Sequence, residues 1–206
     1  MQSAVTRAML GRLPGYLQYV MSVREGSVSA TKIAKALGLG EVQVRKDLNT
    51  VSGKGKPKTG YDARELQADL ENLLGVYNKV SAVLVGAGKL GRALLGYEEF
   101  TNYGLVIRAA FDASATGRSV SDSGQEILPM TALADYCREN DIHVGILTVP
   151  ARSAQEACDE MIRSGITIIW DFAPCNLKVP SGITVRREDL ALSFAYLNLM
   201  ANRQTR

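Results

Sequence analysis

The sequence predicts an α/β protein in which an N-terminal winged helix-turn-helix domain precedes a Rossmann-type doubly wound parallel sheet and a C-terminal helix. Helical hydrophobic spacing and a strong positive charge mark the first 60 residues. From residue 80 onward, apolar strand-like runs alternate with helical segments. A glycine-rich turn follows the first of these apolar runs. The boundary between the two domains is expected near residues 76–79.

The net charge of the 206-residue chain is only +3, but the charges are unevenly distributed. Residues 1–60 carry ten lysines and arginines against three acidic residues, which gives +7, and the rest of the chain carries fourteen against eighteen, which gives −4. A basic N-terminal part of this kind is typical of a domain that meets a polyanion. The alternative is a charged face that is merely solvated.

Composition argues against a membrane protein and against a metal site. No apolar run is long enough to cross a bilayer, and residues 1–13 lack the apolar core of a signal peptide, so we expect a cytoplasmic protein. Cys137, Cys158 and Cys175 are far apart and form no metal-binding cluster, so we interpret them as ordinary buried or half-buried thiols. The single histidine, His143, lies in a strand-like stretch and is interpreted as a packing residue.

The N-terminal domain is predicted to contain three helices. The second spans residues 30–37, where Ser29 or Thr31 caps the start because a short hydroxyl side chain accepts a free N–H of the first turn. Gly38 ends this helix, since a residue without a Cβ adopts the left-handed conformation cheaply. The third helix is expected at residues 41–49, and an amphipathic helix at 63–74 leads to the second domain.

The second and third helices have the spacing of a helix-turn-helix. Ala34 supplies the small residue where the helices touch, Gly38 the turn and Val44 the β-branched core residue. In this motif the later of the two helices, which here is the predicted third helix of the domain, enters the major groove of double-stranded DNA. Its polar face presents side chains that can read guanine or adenine or contact phosphates, namely Gln43, Arg45, Lys46 and Asn49.

The segment after the third helix is predicted to form a wing. Its glycines and proline exclude a helix, and its lysines alternate as on one face of an extended hairpin. Such a wing contacts phosphates or the minor groove. The lysines concerned are Lys54, Lys56 and Lys58. Together with the charge bias, they favour DNA as a partner.

The second domain is predicted from its alternation of strands and helices. Strands are expected at residues 80–85, 105–111, 144–149 and 166–172, and helices at 90–95, 133–139 and 154–163. This order requires a parallel sheet with helices on its faces. A last helix, at about 189–202, carries an apolar stripe that serves a partner subunit or packs on its own sheet.

A G-x-G-x-x-G turn directly follows the first buried strand and opens a helix. Gly86 makes the tight turn, Gly88 lets backbone N–H groups approach a pyrophosphate, and Gly91 lets the helix pack closely on the strand. The helix N-terminus offers N–H donors and the positive end of its dipole to phosphates. The candidate dinucleotide-binding residues here are Gly86, Ala87, Gly88, Lys89, Leu90 and Gly91.

Asp112 ends the next strand, 21 residues after Gly91. A carboxylate there accepts hydrogen bonds from both ribose hydroxyls and repels a 2′-phosphate, so NAD(H) is favoured over NADP(H). Arg118 either softens that preference or reaches a phosphate. Because ligands bind beyond the carboxyl ends of parallel strands, the ends of two later strands are expected beside the nicotinamide half, unless they are simple exit turns. These residues are Thr148, Val149, Pro150 and Phe172.

An NAD-dependent oxidoreductase with a basic N-terminal domain is the alternative to a DNA-binding regulator. After Pro174 only about thirty residues remain, which is too few for a substrate domain. The chain is therefore expected to have no catalytic residues and to be a regulator. A nucleotide-binding scaffold that acts through protein contacts alone is a third interpretation, and it predicts no salt-sensitive affinity for DNA.

Together these residues resemble the Rex family of redox-sensing transcriptional repressors, over about residues 12–199. The resemblance is carried by five segments, namely the recognition-helix motif Val44-Arg45-Lys46-Asp47-Leu48, the dinucleotide turn at 85–94, and residues 147–151, 172–174 and 189–190. Few other families combine these motifs in this order.

The resemblance implies a homodimer built from three parts. A winged-helix DNA-binding domain is expected at residues 1–77, an NAD(H)-binding Rossmann domain at 78–186, and a C-terminal dimerisation helix, swapped between subunits, at 187–206. It further implies repression of fermentative and respiratory genes that is relieved when NADH rises. We expect NADH to favour an arrangement in which the two recognition helices no longer match the operator.

The resemblance also implies that Tyr97 and Asp189 lie in the network that senses the nicotinamide end. In the family, an arginine of the first helix is expected to pair with the carboxylate that corresponds to Asp189. This chain has Gln18 at that position. Its wing carries Lys-Pro-Lys at residues 56–58 where the family has Lys-Arg-Gly.

Overall fold

The computed structural model describes residues 5–23 and 26–204, and the chain divides into two compact units, residues 1–78 and 79–206. The first four residues of the predicted N-terminal domain and the last two of the predicted C-terminal helix range lie outside the described residues. Each unit is described by itself.

The first unit is helical with one short antiparallel pair of strands. Its helices are α1 (Arg7–Leu10), α2 (Leu13–Ser22), α3 (Ala30–Leu37), α4 (Glu41–Val51) and α5 (Ala63–Leu74), and its strands are β1 (Ser27–Val28) and β2 (Tyr61–Asp62). Its core contains buried side chains from all five helices, including Met9, Leu13, Ile33, Leu48, Leu66 and Leu70. Apolar residues at helical spacing thus explain why these segments are helices.

The predicted second helix is confirmed in its limits and in both caps. The Oγ of Ser29 accepts a hydrogen bond from the Lys32 N–H at 3.2 Å, so Ser29 rather than Thr31 is the cap. Gly38 adopts a left-handed φ of 64° at the other end. The third helix continues two residues further than predicted because Val51 packs against the core.

The segment of the three alternating lysines differs from the prediction. Residues 56 and 60 exchange backbone hydrogen bonds of 2.8 and 2.9 Å, which closes a tight turn in place of an extended hairpin. Lys58 sits in this turn with a positive φ of 66°, and the Nζ of Lys54 bonds Asp69 on α5 at 3.2 Å. The lysines therefore do not form one regular face, because Pro57 and Gly60 favour the turn.

The second unit is built on a seven-stranded sheet in the order β5-β6-β4-β3-β7-β8-β9. The strands are β3 (Val80–Val85), β4 (Leu105–Asp112), β5 (Ser119–Val120), β6 (Glu126–Pro129), β7 (Val144–Leu147), β8 (Ile168–Asp171) and β9 (Thr184–Arg187). All neighbours are parallel except β5 and β6. Strand β3 pairs with β4 on one side and with β7 on the other. The chain forms the strands on the β4 side first and those on the β7 side afterwards, so the strand order reverses at β3.

Four helices accompany the strands of this unit, namely α6 (Lys89–Leu95), α7 (Leu133–Glu139), α8 (Ala151–Arg163) and α9 (Leu190–Gln204). Two short 3-10 segments, Glu98–Tyr103 and Met130–Ala132, connect them to strands. Strand β7 stops two residues earlier than predicted, and α8 begins three residues earlier, because Pro150 stands at the helix N-cap. Separate clusters of buried side chains fill the core of the sheet unit.

His143 is not the packing residue that the sequence indicated. It immediately precedes β7, and its side chain is 59% exposed. Its ring contacts the carbonyl oxygen of Gly165 and the carboxylate of Asp141, both at 3.1 Å. The strand itself begins at Val144, as predicted, so His143 lies just outside it.

Helix α9 leaves its apolar side chains in solvent in the single chain. Leu190, Leu192, Phe194, Leu197 and Leu199 are each between 53% and 68% exposed. The alternative in which this stripe packs on the sheet of its own unit is therefore not what the structure has. Over the described part of the chain, no helix combines the length and the hydropathy needed to cross a membrane.

Candidate functional site

The glycine turn joins the switch-point strand β3 to helix α6. Gly86 has a left-handed φ of 104°, and a Cβ there would lie 2.8 Å from Cγ1 of Val149. A Cβ on Gly91 would overlap the carbonyl oxygen of Gly86. Gly88 is exposed and has open space around it, and the neighbouring Lys89 at the helix start is exposed as well. The turn is thus closed toward the protein and open toward solvent at the helix N-terminus, a geometry that suits a phosphate.

Asp112 lies beside this turn at the carboxyl end of β4. Its Oδ2 accepts a hydrogen bond from the Ala87 N–H at 2.7 Å, and its Oδ1 accepts from the N–H and Oγ of Ser114 at 2.8 and 2.6 Å. Burial disfavours the charged form, but the bonds from Ser114 and Ala87 outweigh it and lower the pKa of Asp112. A carboxylate has about four acceptor positions, so roughly one is left for a ligand unless Ser114 yields.

Arg118 shares a small cavity of about 390 Å³ with Asp112, Arg92 and Ser114. Its guanidinium forms an ion pair with Glu126 on β6, and its side chain is 70% exposed. The structure therefore brings Arg118 to the Asp112 end of the glycine turn, with its charge already partnered.

The predicted residues at the end of β7 are tied to the glycine turn. The Thr148 hydroxyl donates to the carbonyl oxygen of Gly86 at 2.7 Å, 62 residues away in sequence. Thr148, Val149 and Pro150 line a cavity of about 520 Å³ together with Gly86 and Asp112. That these residues flank the nicotinamide half stays a prediction, and the structure shows that they share a cavity with Asp112.

Tyr97 and Phe172 lie in a different place, at the two ends of one aromatic chain. Phe100 contacts Tyr97 with ring centroids 4.9 Å apart and Trp170 at 5.5 Å, and Trp170 contacts Phe172 at 4.9 Å. Apart from Asp189, the predicted dinucleotide-site residues thus fall into two groups, one around Asp112 and one around this chain of aromatic rings. The Tyr97 hydroxyl donates to Glu99 at 2.8 Å, which raises the pKa of Tyr97.

Asp189 stands immediately before α9. One carboxylate oxygen accepts from the Leu192 N–H at 2.9 Å, and the other pairs with Arg187 at 3.0 Å. Asp189 therefore caps the N-terminus of α9, where free N–H groups and the helix dipole favour a carboxylate. Neither of these bonds involves Tyr97.

A second candidate surface lies on α4 of the first unit. Arg45, Lys46 and Asn49 are exposed and line a cavity of about 710 Å³ with Lys56 and Lys58. Arg45 also forms an ion pair with Glu41 one turn earlier. Lys54 is not among the lining residues, since its ammonium group bonds Asp69.

Sequence reasoning missed the buried carboxylate that supports this surface. Asp47 is only 3% exposed, and it accepts bonds from Arg12 at 2.8 and 3.1 Å and from the Tyr16 hydroxyl at 2.8 Å. Gln43, predicted to read a base, donates its amide to Asp47 at 2.8 Å. Burial opposes ionisation, but the bonds from Arg12 and Tyr16 outweigh it and lower the pKa of Asp47. The sequence signal for this buried carboxylate was an acidic residue on the apolar side of the helix, between Val44 and Leu48.

No group of His, Cys, Asp or Glu suited to a metal ion occurs within residues 5–23 and 26–204. Burial raises the pKa of Cys137 and of Cys158 to about 11, so these thiols are protonated at neutral pH.

Two family profiles match the chain. The profile described as the CoA binding domain covers residues 78–175, which include the glycine turn and Asp112. The profile described as the putative DNA-binding protein N-terminus covers residues 4–49, which include most of α4.

Two curated relatives match nearly the whole chain. The redox-sensing transcriptional repressor Rex of Clostridium tetani (strain Massachusetts / E88) is 32% identical over 203 residues, which is 97% of this chain and 96% of that protein. Rex of Porphyromonas gingivalis (strain ATCC 33277) is 37% identical over 206 residues, which is 98% of this chain and 93% of that protein.

Among solved structures, the chain is similar to RSP, a Rex-family repressor, with a TM-score of 0.87 and 28% identity over 98% of this chain and 96% of that chain. RSP has been crystallised with β-NAD+ and operator DNA, and also with β-NADH. These similarities confirm the resemblance that the motifs predicted. The chain therefore belongs to the Rex family of redox-sensing transcriptional repressors, which are regulators and not enzymes.

Proposed function

We propose that this protein is a cytoplasmic repressor that binds double-stranded operator DNA as a homodimer and is released when NADH binds, so that transcription follows the NADH/NAD+ ratio. The observation that carries the proposal is the similarity to RSP over 98% of the chain, because RSP binds both operator DNA and the dinucleotide. Both candidate surfaces of this chain lie within that match.

On the DNA side, α3 and α4 act as a winged helix-turn-helix whose wing is the turn at residues 56–60. Lys46, Arg45 and Asn49 enter the major groove, and Lys56 and Lys58 contact phosphates beside it. The exposed basic cavity that these five residues line supports this assignment. Gln43 reaches the groove from its bond to Asp47, and Lys54 remains at the margin beside Asp69.

On the ligand side, the open glycine turn fits a dinucleotide. The N–H groups at the start of α6 bind the pyrophosphate, while Asp112 holds the adenosine ribose and disfavours a 2′-phosphate. The nicotinamide end extends toward the aromatic chain of Tyr97 and Phe172. A ligand shifts the equilibrium only by its difference in affinity between two arrangements, so the neutral NADH ring must fit one arrangement better than the cationic NAD+ ring.

The homodimer is formed through α9, which exchanges between subunits. Its exposed leucines and Phe194 support this assignment, because large apolar side chains in solvent mark an interface. The chain is then organised as a DNA-binding domain at residues 1–77, an NAD(H)-binding domain at 78–186 and a dimerisation helix at 187–206. Asp189, at the start of that helix, and Tyr97 belong to the network that senses the nicotinamide.

The test is operator binding at fixed total dinucleotide while the NADH fraction is varied. NADH is expected to weaken binding, and NAD+ is not. Gly91→Ala, which overlaps the Gly86 backbone, should keep operator binding and lose the response to NADH. Gly15→Ala on α2 is the control, because it lies in the first unit and a Cβ there makes only an ordinary contact of 3.5 Å with Leu37. Equal effects of the two dinucleotides on the wild-type protein would overturn the proposal.

A further inference from the structure

Tyr61 is a buried residue of the first unit whose hydroxyl group lacks a partner. It lies on β2, pairs with Val28 of β1, and is only 8% exposed. Burial raises the pKa of Tyr61 although the charge of Arg45 opposes the shift, so the hydroxyl is an O–H donor at neutral pH. Over the described part of the chain, this hydroxyl makes no hydrogen bond. A donor buried without a partner is costly, so it indicates a partner outside the chain.

Gly55 leaves room beside this hydroxyl. A Cβ on Gly55 would lie 2.7 Å from Cζ of Tyr61 and 2.9 Å from its hydroxyl oxygen. The backbone of Gly55 is not in the left-handed region, so its conformation does not demand glycine, whereas the space beside the ring does. Tyr61 and Gly55 both line the basic cavity of about 710 Å³ on α4, and the hydroxyl oxygen is not fully enclosed. A ligand in this cavity can therefore reach the hydroxyl.

The lining of this cavity suits an anion. Its charged residues are all basic and lie on α4 and in the turn at residues 56–60, namely Arg45, Lys46, Lys56 and Lys58. Ala30 and Thr31, at the start of α3, line the cavity as well, and the first N–H groups of a helix have no partner within the helix. A DNA phosphate accepts hydrogen bonds from O–H and N–H donors and is attracted by the cations. The cavity therefore has the chemistry of a phosphate site.

We propose that the hydroxyl of Tyr61 donates a hydrogen bond to a phosphate of the DNA backbone that occupies this cavity. The bond gives the buried hydroxyl the partner that the chain does not supply. A contact of this kind fixes the position of the duplex against the protein and reads no base. This inference rests on the proposed binding of operator DNA, to which it adds a donor from β2.

The test is Tyr61→Phe in the full-length protein, measured by fluorescence anisotropy with labelled operator and with an unrelated duplex of equal length. Affinity should fall about tenfold for each half-site, and by a similar factor for both duplexes, because the lost bond is to a charged phosphate. The slope of log K against log salt should not change, since the hydroxyl carries no charge and displaces no counterion. The urea midpoint of unfolding should not fall, because the hydroxyl has no partner in the chain to lose.

Tyr77→Phe is the matched control. Tyr77 belongs to the same unit, but it is exposed, its hydroxyl bonds Glu71, and it lines none of the cavities described above. This variant should bind both duplexes as the wild-type protein does. An unchanged affinity of Tyr61→Phe, a loss confined to the operator, or a loss that comes with a lower urea midpoint would overturn the inference and leave the proposed function intact. Failure of the wild-type protein to bind either duplex would overturn both.

Discussion

At the residue scale, the N-terminal unit depends on one buried charge. Asp47 is on α4, and its carboxylate accepts hydrogen bonds from Tyr16 and Arg12, which lie 31 and 35 residues earlier in the chain. Removing one partner of a buried ion pair costs more than the pair contributes, because the remaining charge is left without compensation. The sequence places Asp47 within the recognition motif, but only folding brings Arg12 and Tyr16 to it. Sequence periodicity cannot predict such long-range partners.

The alkaline stability of this unit should depend on Tyr16. Burial, with the nearby Asp47 carboxylate, raises the pKa of Tyr16 to about 12. The folded state therefore holds this proton more tightly than the unfolded state, whose tyrosine pKa is about 10. The contribution is fully present below pH 10 and is lost as the pH rises toward 12. Tyr16→Phe should remove about 2–3 kcal/mol of this pH dependence, measured by urea unfolding at a series of pH values.

Tyr77→Phe provides the control, because Tyr77 is 67% exposed and its titration should affect unfolding far less. If the unfolding free energy of Tyr16→Phe fell with pH as steeply as that of the wild-type protein, the hydroxyl would not be coupled to Asp47 as described.

At the element scale, the sequence predicts continuous, strongly patterned segments well. Strand β3 and helix α5 have the limits expected from their apolar runs, because β3 is buried among other strands and α5 has a clear amphipathic period. The edge strands β5 and β9 were not predicted. They are short and mostly exposed, so no hydrophobic pattern marks them, and only pairing with their neighbours makes them strands.

The corrected lysine turn leads to a prediction for the salt dependence of operator binding. Lys56 is exposed in this turn and lines the basic cavity, whereas Lys54 is held by Asp69 outside it. Lys56→Ala should lower the magnitude of the slope of log K against log salt by about 0.9 for each phosphate that the lysine neutralises. Lys54→Ala should leave the slope nearly unchanged. Fluorescence anisotropy with labelled operator DNA measures the slope for each variant.

Lys54→Ala is also the matched control for loss of a positive charge. Equal reductions of the slope in both variants would mean that net charge alone attracts the DNA and that the cavity on α4 has no special role.

At the scale of the whole molecule, the proposed homodimer depends on α9. Phe194 is 68% exposed in the single chain, and a charge there would be buried in any interface that covers this helix. Phe194→Glu should yield a monomer by analytical ultracentrifugation and lower operator affinity at least tenfold, since two half-sites are no longer read together.

Val120→Glu is the control for this variant. Val120 is 63% exposed on the edge strand β5, so the same charge should leave the dimer intact there. A dimeric Phe194→Glu protein would exclude α9 as the interface.

The hydrogen bond from Thr148 to Gly86 has a consequence for how the protein matures. The glycine turn is completed by a residue made 62 positions later, so a chain still emerging from the ribosome cannot hold the dinucleotide until the segment through Pro150 has been released and has joined the sheet. We therefore expect the dinucleotide to bind only after most of the chain has been synthesised. A translation product truncated before Thr148 would keep α3 and α4 but would lack both the completed turn and α9, so we expect it to bind operator DNA only weakly and without any response to the dinucleotide.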